Sequence, residues 1–171
     1  MADAMVHLLL LRHGLAEERR ADRPEALRPL TPEGIRRTRA VVGRLAELDL
    51  RVDRLVTSPL ARARQTAALA LEAGLAPSLE EHTALEPGGA GLAGLHAHLA
   101  DLPGEGRLML VGHEPDLGDL AARLIGAAPG SLVLKKAGLA WLQAPSVNRE
   151  VPWESPWRLR LLIGPRQLLG T

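Results

Sequence analysis

The sequence predicts a three-layer α/β/α fold: a mainly parallel central sheet covered by helices on both faces, with an antiparallel strand pair near the C-terminus. Three observations lead there. Residues 6–11 are a continuous apolar run, the pattern of a strand buried on both faces. Strand-like and helix-like segments then alternate as far as Gly126, which implies parallel strands joined by helical crossovers. Beyond that, residues 132–143 and 157–163 are both strand-like with only a Pro-rich connection between them, so they are expected to pair antiparallel at the sheet edge.

The elements follow in order. After the first strand and an Arg-rich loop, Thr31-Pro32-Glu33 supplies an N-cap, a first-turn proline and a first-turn acid. Ile35, Thr38, Val42, Leu45 and Leu48 then recur at helical spacing, so roughly 32–48 is an amphipathic helix. Residues 54–57 form a second short strand. Ser58-Pro59 repeats the start signal, and 60–73 is a helix stopped by Gly74. A third strand is expected over 79–85, a third helix over 92–102, a fourth strand over 108–111 and a fourth helix around 117–124.

The chain of 171 residues has the length of one domain, taken here as 1–171. Its 21 basic and 20 acidic residues nearly cancel, so no global field argues for nucleic acid or a membrane surface. The absence of cysteine excludes disulfides, thiolate catalysis and a four-Cys zinc site. The N-terminal segment lacks a cationic leader, and its apolar run is too short to span a bilayer, so the expected compartment is the cytoplasm. Arg12, Arg19, Arg20, Arg23, Arg28, Arg36, Arg37 and Arg39 crowd one early stretch. Most are expected on a solvated surface, with a few lining an anion site.

In open parallel sheets ligands bind beyond the carboxyl ends of the strands. The polar groups there are Arg12-His13, Ser58 with Arg62, Glu86, and His113-Glu114. Two arginines and two histidines suit a tetrahedral dianion, because guanidinium forks match its oxygens and a neutral imidazole is a competent nucleophile. Arg62 also lies in the first turn of a helix, where free amides favour an anion. His7, His82, His96 and His98 are expected to be structural or solvated. His96 and His98 are two apart and do not share a helix face, which weakens a metal reading of that pair.

Arg12-His13-Gly14, the run from Ser58 through Arg62 to Ala67, and Val111-Gly112-His113 together resemble the histidine phosphatase superfamily, the fold of phosphoglycerate mutases and acid phosphatases. More closely, the chain resembles the small bacterial SixA-type phosphohistidine phosphatases, through Arg28-Pro29-Leu30-Thr31, Leu85-Glu86-Pro87-Gly88-Gly89 and Gly112-His113-Glu114-Pro115. The resemblance implies a metal-independent, cofactor-free phosphatase in which His13 forms a phosphohistidine intermediate. Arg12, Arg62 and His113 would hold the phosphoryl oxygens. Either Glu86 or Glu114 is the candidate general acid. The implied substrate is phosphohistidine in a protein partner; the alternatives are a small phosphate ester or, with catalysis lost, phosphate binding alone. Oligomeric state is left open, since Trp141, Trp153 and Trp157 suit either a core or an interface.

Overall fold

The computed structural model describes residues 5–89, 91–145, 148 and 150–171, with the side chains of residues 92 and 93 left out of account. Six strands form one sheet: β1 (Val6–Arg12), β2 (Arg54–Thr57), β3 (Leu79–Glu81), β4 (Arg107–Gly112), β5 (Leu139–Ala144) and β6 (Arg158–Ile163), in the order β3-β2-β4-β1-β5-β6. The first four are mutually parallel, and β5 and β6 add antiparallel beside β1. The expected fold class is therefore the observed one.

Alternation along the strands builds two cores. Leu8 and Leu10 of β1 join one cluster with Leu108 and Leu110 of β4, whereas Leu9 and Leu11 join the other with Met109 and Val111. Helices α1 (Pro32–Glu47) and α2 (Ala61–Glu72) cover the second face through Val41, Val42, Leu45, Ala63, Ala67 and Ala70. Helices α3 (His96–Ala100) and α4 (Asp116–Leu124) cover the first through Leu99, Leu117, Ala121 and Leu124. Burial on both faces explains why β1 reads as an unbroken apolar run.

Four departures from expectation have local causes. The third strand stops at Glu81; His82 then caps a tight turn over Thr83–Leu85 by accepting the Ala84 amide at Nδ1, which sends Ala84 and Leu85 into the core. The third helix shrinks to His96–Ala100 with a 3-10 lead-in over Gly91–Leu95. Its glycines disfavour α-helix, and Gly94 lets the segment lie against Ala84, where a Cβ would come within 2.7 Å of the Ala84 Cβ. The expected strand over 132–143 begins only at Leu139, because the chain turns through Lys135–Gly138 with Ala137 at φ 57°. A terminal helix, α5 (Pro165–Leu169), escaped the reading although Gly164-Pro165 is a helix-start signal.

The tryptophans face the protein. Trp157 is buried and donates to the Pro152 carbonyl, Trp153 packs on the first core, and half-buried Trp141 donates to His7 Nδ1.

Helix α1 docks tightly on the loop after β1. A Cβ on Gly34 would collide with the Leu15 carbonyl, which already accepts the Thr31 amide at 3.0 Å. Helix propensity alone makes Gly→Ala favourable by about 1 kcal/mol. The packing predicts the opposite sign: Gly34→Ala should lower stability by about 1–3 kcal/mol in urea denaturation. A stabilised variant would contradict this docking.

Candidate active site

Three adjacent strands, β2, β4 and β1, deliver the histidines and the serine to one edge. Each is pinned where its strand ends: the His13 amide donates to Gly112 O at 3.0 Å and the Ser58 amide to Val111 O at 3.0 Å. His13 and His113 lie with ring centroids 5.2 Å apart and both are buried, at 6% and 3% exposure. The expected quartet is thus assembled from β1, the start of α2 and the end of β4.

His13 has one ring nitrogen committed. Its Nδ1 sits 2.7 Å from the Gly14 carbonyl, which can only accept, so Nδ1 carries the proton. Burial is the main reason the ring pKa falls to about 3, and the positive groups Arg62 and Arg12 push it the same way. The ring is therefore neutral at physiological pH and bears its lone pair on Nε2.

Gly14 is itself held. Its amide donates to Thr66 Oγ1 at 3.0 Å, and that hydroxyl donates to the Arg62 carbonyl at 2.8 Å. Gln65 accepts the Leu30 amide at 2.7 Å. Helix α2 thereby ties together the β1 loop and the Arg28–Leu30 segment. A Cβ on Gly14 would also run into Thr38 Oγ1, so glycine is the residue that fits this crossing.

Arg62 is almost fully buried and its Nη1 donates to the Glu25 carbonyl at 3.2 Å. The Glu25 carboxylate lies 3.4 Å from Arg62 Nη2 and 2.7 Å from Arg28 Nη2. Arg28 first, with Arg62 adding to it, holds the Glu25 carboxyl below the usual carboxylate range. Arg12 donates through Nη1 to Leu134 O at 2.8 Å. His113 Nε2 meets Ser58 Oγ at 2.8 Å, and burial together with Arg62, Arg28 and Arg12 takes its pKa down to about 4.

What these groups lack is as informative as what they hold. Arg12 Nε, Arg62 Nε and His113 Nδ1 are buried with no hydrogen-bond partner among the described residues. Buried polar atoms are rarely left unsatisfied, so three such nitrogens on three of the four expected residues call for an oxygen-rich ligand.

The two carboxylates part company. Glu114 accepts the Gly118 amide at 2.8 Å and also the Leu134 amide, and burial raises its pKa. Half-buried Glu86 has no side-chain hydrogen bond or ion pair among the described residues. Sequence reasoning did not single out Glu25 or Thr66 as site residues and treated Ser58 only as a strand-end group and helix start. Thr66 lies within the recognised motif, but Glu25 carries no pattern that marks it.

Of the early arginines, Arg20, Arg23, Arg36 and Arg39 form ion pairs with Asp22, Glu17, Glu33 and Glu72 on the exposed side, and Arg12 and Arg28 reach the site. His98 pairs with Glu80 and stacks edge-on with His82. Among the described residues, no group of three or more His, Cys, Asp or Glu is arranged to hold a metal ion. Among the same residues, no helix is long and apolar enough to cross a membrane.

The buried neutral histidines give stability a pH dependence. Their folded pKa values, about 3 and about 4, lie below the ordinary 6.5, so between these limits the unfolded chain binds more protons. Stability contributed by them is present above pH 6.5 and is lost as pH falls toward 3. Denaturation midpoints should fall between pH 7 and pH 4, and the His13→Gln/His113→Gln double variant should show a shallower fall. Identical slopes would contradict neutral burial.

Comparison with known proteins identifies the family. Residues 8–86 match the histidine phosphatase superfamily (branch 1). An uncharacterized protein of Picosynechococcus is 36% identical over 170 residues, covering 96% of this chain and 99% of that one. The protein histidine phosphatase SixA, solved in complex with tungstate, superposes with a TM-score of 0.77 at 25% identity, over 95% of this chain and 99% of that one. A Nakamurella multipartita protein assigned as the phosphohistidine phosphatase SixA gives a TM-score of 0.72 at 28% identity, covering 94% and 96%. The chain belongs to the histidine phosphatase superfamily, as a phosphatase of the SixA type.

Proposed function

We propose that the chain hydrolyses phosphohistidine in a protein partner through a phosphoenzyme on His13. The observation that carries this reading is the trio of unpartnered buried nitrogens around a histidine whose Nε2 lone pair is bare. The SixA structure in complex with tungstate, a tetrahedral oxyanion, supports it.

In this mechanism His13 Nε2 attacks the phosphorus and the bond to the leaving group breaks. Arg12, Arg62 and the unpartnered Nδ1 of His113 donate to the equatorial oxygens, where charge spreads in the transition state. Ser58 orients His113. Its hydroxyl oxygen accepts the Leu60 amide at 3.3 Å, and in this mechanism its proton goes to His113 Nε2, the tautomer that carries the ring proton on Nδ1. Water then attacks the phosphoenzyme, releasing inorganic phosphate and regenerating the neutral ring. The Glu25 carboxylate sits on Arg62 and Arg28, and an incoming dianion competes with it for those donors.

The leaving group determines the need for an acid. A phosphorylated imidazole is protonated near the ordinary His pKa of about 6.5 and departs as a neutral ring. An alkoxide, whose conjugate acid has a pKa near the 15.7 of water, needs a proton supplied. Glu114 is committed as an acceptor of two backbone amides, one of them from the same Leu134 whose carbonyl holds Arg12. We assign it as a positioning residue, and Glu86 as the carboxylate free to move a proton.

A second reading has its own observation. A cavity of about 620 Å³ reaches His113 and is walled by Leu85, Leu95, Leu117 and Leu120, a size and lining that suit a small phosphate ester with an apolar body. Relative rates separate the two. A phosphohistidine protein should be turned over faster than any alkyl phosphate; the reverse order would favour the small-molecule reading.

His13→Ala should lose at least about 10³-fold in kcat and leave no acid-labile, base-stable phosphoenzyme in rapid-quench trapping. Unchanged turnover would exclude the mechanism. Glu86→Gln should slow an alkyl phosphate by about 10²-fold and leave phosphohistidine hydrolysis nearly unaltered. Equal losses on both substrates would contradict the leaving-group argument.

A further inference from the structure

A second recess, of about 500 Å³, shares no lining residue with the apolar cavity that reaches His113. Arg12 forms part of its wall, and the rest comes from three separate segments: α1 with Glu33, Arg37 and Thr38, the turn with Lys135 and Lys136, and the start of α5 with Arg166. Lys135 and Lys136 are the only lysines in a chain that otherwise uses arginine for every basic residue. They stand side by side at this one place.

The charge here is unbalanced. Arg37, Lys135, Lys136 and Arg166 are exposed and form no salt bridge among the described residues. The recess's carboxylate, Glu33, is already paired with Arg36. A chain of net charge +1 therefore concentrates four unneutralised cations beside a catalytic arginine. Like charges held together without counter-charges cost stability, a cost that a binding role explains. Independently, Thr38 lines the recess, and its Oγ1 is buried with no hydrogen-bond partner among the described residues.

We propose that this recess docks acidic side chains that flank the phosphorylated residue of a protein substrate. Its cations are spread over three segments around a volume far larger than one oxyanion, which suits several carboxylates on a peptide better than a single phosphate. Complementary charge of this kind steers association and fixes register. The proposal deepens the phosphohistidine-protein reading and rests on it for the identity of the substrate, but docking is measurable without it.

Binding is read with a fluorescent Asp-rich peptide that carries no phosphate, against wild type and the Lys135→Glu/Lys136→Glu variant. Wild type should bind with strong salt dependence, and the variant should bind about tenfold more weakly. Hydrolysis of p-nitrophenyl phosphate should change less than about twofold, which shows that the variant folds and that the phosphoryl site is intact. In turnover, wild type should prefer phosphohistidine peptides flanked by Asp over the same peptides flanked by Asn, through KM rather than kcat, and the variant should lose that preference. Equal peptide binding by both proteins, or equal loss on every substrate, would overturn the proposal. So would tighter recess binding of a compact bisphosphate than of the peptide. If no phosphohistidine peptide is turned over while the Asp-rich peptide still binds through the two lysines, the substrate reading falls and the docking surface stands.

Discussion

The hydrogen bond from His13 Nδ1 to the Gly14 carbonyl, 2.7 Å long and buried, is the constraint on which the site depends. It fixes the tautomer of a ring that burial keeps neutral, and so decides which nitrogen bears the lone pair that the proposed mechanism uses. A solvated histidine would exchange its proton between both nitrogens and be partly cationic at neutral pH. Here the fold removes both freedoms before substrate arrives.

That bond holds only because the backbone around it is held from several directions. The His13 amide is anchored on β4, its carbonyl accepts the Ala137 amide, and Gly14 is tied to α2 through Thr66. Arginines and the second histidine are pinned by equally specific means: Arg12 on the Leu134 carbonyl, Arg62 on Glu25, His113 on Ser58. The donors stay pre-positioned, and three of their buried nitrogens are left without a partner among the described residues.

Much of this was legible in the sequence. The strand-end rule selected Arg12, His13, Arg62 and His113 because β1, β2 and β4 are buried strands whose ends are marked by abrupt polarity. Those strands were also placed correctly to within a residue or two. Glycine-rich and turn-rich segments were misjudged, since 79–102 and 132–138 take their shape from tertiary contacts rather than from periodicity. The latter stretch reads as strand, yet Leu134 gives its amide and carbonyl to Glu114 and Arg12 instead of to a ladder. Glu25 was invisible for a related reason. Its role arises from a loop that folds back onto α2, and no local pattern announces such a return. Motif position likewise left Glu86 and Glu114 both open as the acid, because the amides that distinguish them, those of Gly118 and Leu134 on Glu114, lie outside the motif.

The most direct test of the account is the regiochemistry of the phosphoenzyme. Protein labelled with ¹⁵N-histidine, phosphorylated during turnover and examined by nitrogen–phosphorus coupling in NMR, reports which nitrogen carries the phosphoryl group. The bond to Gly14 predicts phosphorylation of His13 at Nε2, with Nδ1 still protonated. Phosphorylation at Nδ1, or on any residue other than His13, would contradict it.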